Sequence, residues 1–254
     1  MLSVVIICKN EEEKIRKCLE SVRFADEIVV FDSGSTDRTV EICREYTSKV
    51  FVTDWPGFGP QKQRALEEAK GDWVLSIDAD EIVTEKLKEE ILLAIESHQF
   101  SSYFLPRLSF YLGQPIRYGG WYPDYLVRLF QKSQGRFSAD IVHEKVLVEG
   151  QAGYLTQALH HFPYDSLEQV IEKFNHYSSL GAEKLAAKNN RKSGLSVALF
   201  RAVFAFMRMY VLKKGFLDGR MGFIIAITSA ETAYYKYLKL YLLQRNQLNE
   251  RRGS

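Results

Sequence analysis

Apolar and polar positions along the chain fall into two kinds of block. Leu2–Cys8 is a nearly unbroken apolar run, the signature of a strand buried on both faces. Glu11–Val22 follows, with Ile15, Cys18, Leu19 and Val22 recurring at helical spacing. The same strand-then-helix unit repeats as Glu27–Phe31 with Asp37–Tyr46, as Lys49–Val52 with Gln61–Ala69, and as Asp72–Ile77 with Thr84–Ser97. Trp55–Pro60 reads as a Gly/Pro loop, and Gly71 as the cap that closes the helix before it. Such alternation predicts a mostly parallel sheet covered by helices. The pattern changes after Phe100. Ser102–Tyr111 and Tyr125–Gln131 read as strands on aromatic and β-branched content, Gly113–Pro123 as a loop, and Val142–Val148 and Gln151–Leu159 as weaker strands. From Ser166 everything reads as helix, roughly 166–187, 195–213 and 221–243, with Gly215–Gly222 breaking the last two. The expected organisation is one α/β domain over residues 1–165, in halves 1–100 and 101–165, then a helical extension over 166–254.

Composition adds an asymmetry. With 46% hydrophobic and 26% charged residues the chain is that of a folded globular protein. Its formal net charge of +2 hides 11 Lys/Arg against 3 Asp/Glu between Lys192 and Ser254, leaving the remainder at −6. The basic tail is also rich in Leu, Phe, Met and Tyr. Phe200, Phe204, Met207 and Val211 lie near one helical stripe with Arg201 and Arg208 beside it, the composition of an interfacial helix or of a hairpin's core stripe. No stretch reaches 18 uncharged apolar residues, since Arg201 and Arg208 interrupt Leu195–Leu212. Cys8, Cys18 and Cys43 show no metal or disulfide spacing, and no signal peptide is apparent, so a cytoplasmic protein touching a membrane surface is expected.

Ligands of α/β sheets gather beyond the carboxyl ends of the strands. The residues following the four predicted strands there are Lys9-Asn10-Glu11, Asp32, Asp54 and Asp78-Ala79-Asp80. Any one alone suits a helix N-cap; an acidic or amide group at every edge points to a ligand site. Asp78 and Asp80, one residue apart, suit a Mg²⁺ or Mn²⁺ ion that leaves positions open for phosphates. No G-x-G-x-x-G follows the first strand and no G-K-S/T loop is present, which argues against dinucleotide and P-loop chemistry. A basic-aromatic tract of the kind that binds nucleic acid is also missing from the predicted cleft.

Three segments together, Leu2–Glu11, Ile28–Asp37 and Gly71–Asp80, resemble the family 2 glycosyltransferases in order and spacing. Gly119–Phe130, Val142–Lys145 and Lys214–Gly222 extend the resemblance over nearly the whole chain, toward the bacterial lipopolysaccharide inner-core β-1,4-glucosyltransferases. The resemblance implies a GT-A fold, a UDP-sugar donor with Mg²⁺ or Mn²⁺, and a glycolipid acceptor. UDP-glucose and a heptose acceptor are favoured, beside a different UDP-sugar with a lipid-linked or capsule acceptor, or a non-catalytic nucleotide- or carbohydrate-binding module. It further implies that Asn10 and Glu11 line the nucleotide cleft, that Asp32 accepts a hydrogen bond from uracil, and that Asp54 lies near the base. Lys62 or Arg64 would then lie near base and diphosphate, Asp78 near ribose or metal, and Asp80 on the metal.

Members of this type invert the anomeric carbon, which needs one general base. Asp124 is the first choice, in a loop with the acceptor-side aromatics Trp121 and Tyr122; Asp140 and Glu144 are the alternatives, and Glu144 is also an acceptor-side residue. His143 is expected as a further metal ligand or phosphate partner. His160-His161, before a Phe-Pro turn, read rather as a tie between strand and helix. Arg128 is expected to hold a cleft carboxylate or an acceptor phosphate.

Overall fold

The structure is a computed structural model that describes residues 1–138, 145–188 and 193–253, with side chains as far as 246. The chain forms two compact units: Met1–Leu108 with Pro123–His161, and Ser109–Tyr122 with Phe162–Ser254.

The elements in chain order are β1 (Leu2–Cys8), α1 (Ile15–Ser21), β2 (Glu27–Asp32), α2 (Thr39–Arg44), β3 (Val50–Val52), α3 (Phe58–Glu68), β4 (Trp73–Asp78), β5 (Glu81–Ile82) and α4 (Glu85–Ser97). Then come β6 (Ser102–Tyr111), β7 (Gln114–Pro115), β8 (Asp124–Gln131), β9 (Gly135–Phe137), β10 (Val146–Val148), β11 (Ala152–Tyr154) and β12 (Leu159–Tyr164). Helices α5 (Leu167–Ala187), α6 (Leu195–Met207) and α7 (Gly219–Gly253) end the chain; a π-helical turn over Arg208–Leu212 and a 3₁₀ turn over Gly215–Asp218 join the last two.

In the main sheet the strand order is β3-β2-β1-β4-β8-β6-β12-β5. The first four strands are mutually parallel, and β8 enters antiparallel to β4. This is the α/β architecture expected, a mixed sheet parallel in its N-terminal half, with flanking helices and a helical C-terminal region. Both faces of the parallel part are covered, which is why its strands read as apolar runs. Val4, Ile6 and Cys8 of β1 pack with Ile15, Cys18, Leu19, Leu87 and Ile91, while Val5 and Ile7 pack with Ala65 and Leu66 on the opposite face. All three cysteines are free and buried in this core. Truncating a side chain such as Leu19, which has no exposed surface, to Ala costs about 2–5 kcal/mol.

Two local expectations change. Helix α3 starts three residues earlier than predicted, because Pro60 sits in its first turn, where no backbone donor is needed. Gly71 is not a helix cap. A Cβ there would lie 2.7 Å from the Ser3 backbone nitrogen, so the glycine lets the chain pass close to β1.

In the second unit, α6 and α5 both pack on α7 around Ala182, Ala198, Tyr237 and Leu240. The Lys239 ammonium donates to the Asn175 carbonyl and side chain and to the Ser178 and Ser179 hydroxyls at 2.7–3.0 Å. Gly222 packs against the Gly215 carbonyl so closely that a Cβ would fall 1.8 Å from that oxygen. The Asp218 carboxylate accepts from the backbone of Arg117 and Tyr118 at 3.1 and 2.8 Å and ties the junction to the 117–120 turn. Phe200, Phe204, Met207 and Val211 are all exposed, so within this unit they are not a hairpin core stripe.

Candidate active site

Register places the predicted polar residues along one edge of the sheet. Cys8 pairs with Asp32, Ile7 with Asp78, and Asp32 with Val52, so β3, β2, β1 and β4 all present their carboxyl ends together. The loops beyond β1 and β2 are locked to each other. Asn10, in the left-handed region at φ 54°, donates its backbone N–H to the Ser35 hydroxyl at 2.8 Å and accepts from the Thr36 backbone at 2.8 Å. Glu11 donates its backbone N–H to Thr39, Glu12 donates its own to Asp37, and the Glu12 carboxylate accepts from the Arg38 backbone.

Asp32 is fully buried, and its carboxylate serves this loop. Oδ1 accepts from the backbones of Gly34 and Ser35 at 2.9 and 2.8 Å, while Oδ2 meets the Ser35 hydroxyl and the Cys8 thiol. Asp54 is exposed and pairs with Arg64 at 2.7 Å; that hydrogen bond holds the Asp54 carboxyl below its usual value. Gln61 spans the ends of β2 and β3 through Ser33 and Thr53 at 3.1 and 2.9 Å.

The densest feature joins β4, β5, β6 and β8. Asp78 Oδ1 meets Lys62 Nζ at 2.8 Å, and its Oδ2 accepts from Arg128 Nη2 at 2.5 Å. Lys62 is therefore buried against Asp78. The same Arg128 nitrogen reaches Glu81 Oε1 at 2.7 Å, and Glu81 Oε2 accepts from the Asp78 backbone at 2.9 Å. Arg107 approaches Glu81 Oε1 at 3.5 Å and donates from Nε and Nη2 to Asp124 Oδ2 at 3.1 and 2.7 Å. An unbroken chain of ion pairs thus runs Lys62–Asp78–Arg128–Glu81–Arg107–Asp124. Burial drives the Asp78 carboxyl upward, but Arg128 and Lys62 outweigh it and hold the group well below its usual range. For Glu81, with no exposed surface, burial wins over Arg128 and raises the carboxyl. Arg128 stays firmly protonated, since Asp78 and Glu81 outweigh the burial of its guanidinium.

Asp124 opens β8, opposite Arg107 on β6. Both of its bonds fall on Oδ2, and no described residue donates to Oδ1. Asp80 is neither in that chain of pairs nor against Asp78's cations. Its Oδ2 stands 3.4 Å from His161 Nε2, because β12 pairs with β5 and sets His161 opposite Glu81. From the sequence His161 reads as a strand-to-helix tie. Only the two-residue strand β5, which carries no periodicity of its own, brings it to Asp80. Asp140, His143 and Glu144 lie outside the described residues. Trp121 and Tyr122 belong to the second unit. There Trp121 meets Tyr111 edge-on at 6.0 Å and helps line a cavity of about 430 Å³.

Residues 3–161 match the family model described as glycosyl transferase family 2. The chain is 33% identical over 265 residues to the lipopolysaccharide core biosynthesis glycosyltransferase LpsC of Rhizobium meliloti (strain 1021), covering 98% of this chain and 94% of that protein. It is 30% identical over 263 residues to an uncharacterised glycosyltransferase of Rickettsia typhi, covering 98% and 89%. Among solved structures, S. aureus TarS 1–349 in complex with UDP-GlcNAc aligns with a TM-score of 0.48 at 14% identity, over 97% of this chain and 92% of that one. The family model spans most of the unit that bears the acidic sheet edge, and the relatives extend the match to nearly the whole length: the chain belongs to glycosyl transferase family 2 and is a glycosyltransferase.

Proposed function

We propose that the chain transfers glucose from UDP-glucose to a heptose of the lipopolysaccharide inner core, with inversion at the anomeric carbon. The observation that carries the reading is the chain of ion pairs from Lys62 to Asp124, which ties donor-side cations to a carboxylate whose Oδ1 meets no donor among the described residues. The likeness to a lipopolysaccharide core glycosyltransferase over nearly the full length supports the acceptor class.

On the donor side, the interlocked loops of Asn10, Glu11 and Asp32 form a rigid floor for the nucleotide. A uracil bond to Asp32 requires the Ser35 hydroxyl to turn away from Oδ2. Asp54 and Arg64 flank the base. Lys62 and Arg128 both pair with Asp78, Arg128 being shared with Glu81, and are the cations proposed to lie nearest the diphosphate. Asp78, so compensated, is poorly placed to give a metal its charge. Asp80 and His161 fit the ion better: a carboxylate and an imidazole suit Mn²⁺ or Mg²⁺. Their 3.4 Å separation is a few tenths of an ångström wider than the roughly 3.0 Å between neighbouring ligands of an octahedral ion. His143 is a further proposed ligand. When bound, such an ion neutralises charge that develops on the departing diphosphate.

On the acceptor side, Asp124 Oδ1 takes the proton of the attacking hydroxyl, while Arg107 holds Oδ2 and fixes the carboxylate. The acceptor O–C1 bond forms as the C1–O bond to UDP breaks on the opposite face, and UDP leaves with that electron pair. Trp121, Tyr122 and Glu144 are proposed to hold the acceptor. A glycolipid acceptor places the enzyme at a membrane, peripherally on the cytoplasmic face of the inner membrane. The test is a panel of UDP-glucose, UDP-galactose and UDP-N-acetylglucosamine with Mn²⁺ and a truncated, heptose-terminated lipopolysaccharide, read as UDP release. Acceptor-dependent release is expected with UDP-glucose; release with only another donor, or with none, overturns the reading.

A further inference from the structure

The second unit carries a surface that the transfer chemistry does not use. Along α6 and the turn after it, Leu199, Phe200, Val203, Phe204, Met207 and Leu212 face solvent, with Phe200 66% and Leu212 70% exposed. Only 6% of the Leu195–Leu212 stretch is buried, although its mean hydropathy is 1.7. The packed side of α6 is small: Ala198 is fully buried against the cluster that holds Tyr237 and Leu240. Phe216 and Leu217 on the 3₁₀ turn, and the first turns of α7, extend the exposed apolar surface. Its area is on the order of 1,000 Å², against the few hundred Å² of the largest patch on an ordinary monomer.

Charge decides what covers it. Between Leu195 and Ile227 the chain has five cations, Arg201, Arg208, Lys213, Lys214 and Arg220, and one acid, Asp218. Asp218 is engaged with the backbone of Arg117 and Tyr118. Arg201 turns inward over the Tyr237 ring at 5.3 Å. The other four cations form no ion pair among the described residues. A second copy of the same face, brought up by a twofold axis, would set these cations against each other. An anionic bilayer matches both features, taking the apolar side chains at the acyl boundary and the cations at its headgroup phosphates.

The packing of α6 on its own unit favours a placement in the plane of the membrane over a crossing. By length and composition alone Leu195–Leu212 could cross, its 18 helical residues spanning roughly 27 Å at 1.5 Å per residue against a ~30 Å hydrocarbon core, but Arg201 and Arg208 would then lie within the span. The chain then turns back through Lys213–Gly215, and Arg201 and Ala198 hold α6 to its own unit. We propose that α6, the two turns after it and the start of α7 form a monotopic docking face that enters the headgroup–acyl boundary of an anionic bilayer. This deepens the membrane part of the proposed function but stands on a separate observation, and it holds whichever sugar is transferred.

The test is flotation of the full chain with vesicles of phosphatidylcholine alone, or of equal parts phosphatidylcholine and phosphatidylglycerol. The wild type is expected to float with the anionic vesicles only, and less as salt rises. Phe200→Asp/Phe204→Asp is expected to lose at least about tenfold in vesicle affinity while UDP release on a water-soluble acceptor stays unchanged. Arg208→Glu/Lys214→Glu, which leaves the apolar surface intact, is expected to lose the preference for phosphatidylglycerol, and it serves if the Asp pair does not fold. The proposal is overturned if the wild type stays with the unbound fraction on anionic vesicles, or if both variants float as it does. It is also overturned if the wild type is a dimer that Phe200→Asp/Phe204→Asp dissolves. Failure of the donor reading would appear separately, as absent UDP release from a protein that still floats.

Discussion

Replacing Arg128 by Met removes the cation at the middle of the ion-pair chain and leaves two carboxylates facing its place. Asp78 keeps Lys62 at 2.8 Å, but Glu81, with no exposed surface, keeps the Asp78 backbone N–H at 2.9 Å and, as its nearest guanidinium, Arg107 at 3.5 Å. Lys62, Arg128 and Arg107 balance Asp78, Glu81 and Asp124 in the wild type; the variant carries one uncompensated negative charge, most of it on Glu81. Removing one partner of a buried pair costs about 3–5 kcal/mol. The cost has a pH dependence whose sign follows from Glu81. Its carboxyl is already raised by burial, and losing Arg128 raises it further. A raised acid penalises folding once the unfolded chain ionises, above the ordinary value of 4.5, and the penalty grows by up to about 1.4 kcal/mol per pH unit until the folded group ionises. The destabilisation is therefore largest near pH 8 and smaller near pH 5. Asp78 works in the opposite sense. Its depressed carboxyl contributes stability above the ordinary 3.8 that is lost as pH falls below it, so the comparison belongs above about pH 5. Urea unfolding at the two pH values measures both effects, and adding Glu81→Gln to Arg128→Met should recover part of the loss at pH 8. A cost below about 1 kcal/mol, or one that is equal at both pH values, would refute the reasoning.

Three further outcomes are expected. Asp124→Asn should keep UDP-glucose binding in calorimetry while transfer falls by about 10²–10⁴-fold; near-normal turnover would remove Asp124 as the base. His161→Ala should raise the Mn²⁺ concentration for half-maximal turnover by about 10-fold or more, with His98→Ala as an unaffected control; an unchanged metal curve would take His161 out of the metal site. Gly222→Ala sets a methyl against the Gly215 carbonyl and should cost about 1–3 kcal/mol in thermal or urea melts, with the UDP site intact.

What the sequence made legible follows the range of the forces involved. The apolar runs of β1, β2 and β4 are local patterns, and they located Asp32 and Asp78 at strand ends that the register then aligned. Thr84 and Ser166 were readable as helix starts and do cap α4 and α5. The ion-pair chain was not readable, because Arg128 and Glu81 are 47 positions apart and meet only through strand pairing. Sequence marked Arg128 as a holder of some carboxylate without saying which, and it passed over Arg107 entirely. The resemblance puts Lys62 on the donor side, but that Asp78 is the carboxylate that draws it inward shows only in the fold. His161 was undervalued because β5, two residues long, exists only as a partner of β12. The stripe on α6 was visible, but whether it faced a core or the outside is a matter of packing.

The most direct measurement of the proposed chemistry is the configuration of the new glycosidic bond. UDP-α-glucose and a heptose-terminated acceptor would be turned over by the full chain and the product analysed by proton NMR. A single displacement with Asp124 deprotonating the acceptor predicts a β-linked glucose, shown by the large H1–H2 coupling of a trans-diaxial pair. An α-linked product would contradict it, because retention requires a second displacement or a front-side path in which Asp124 is not the base.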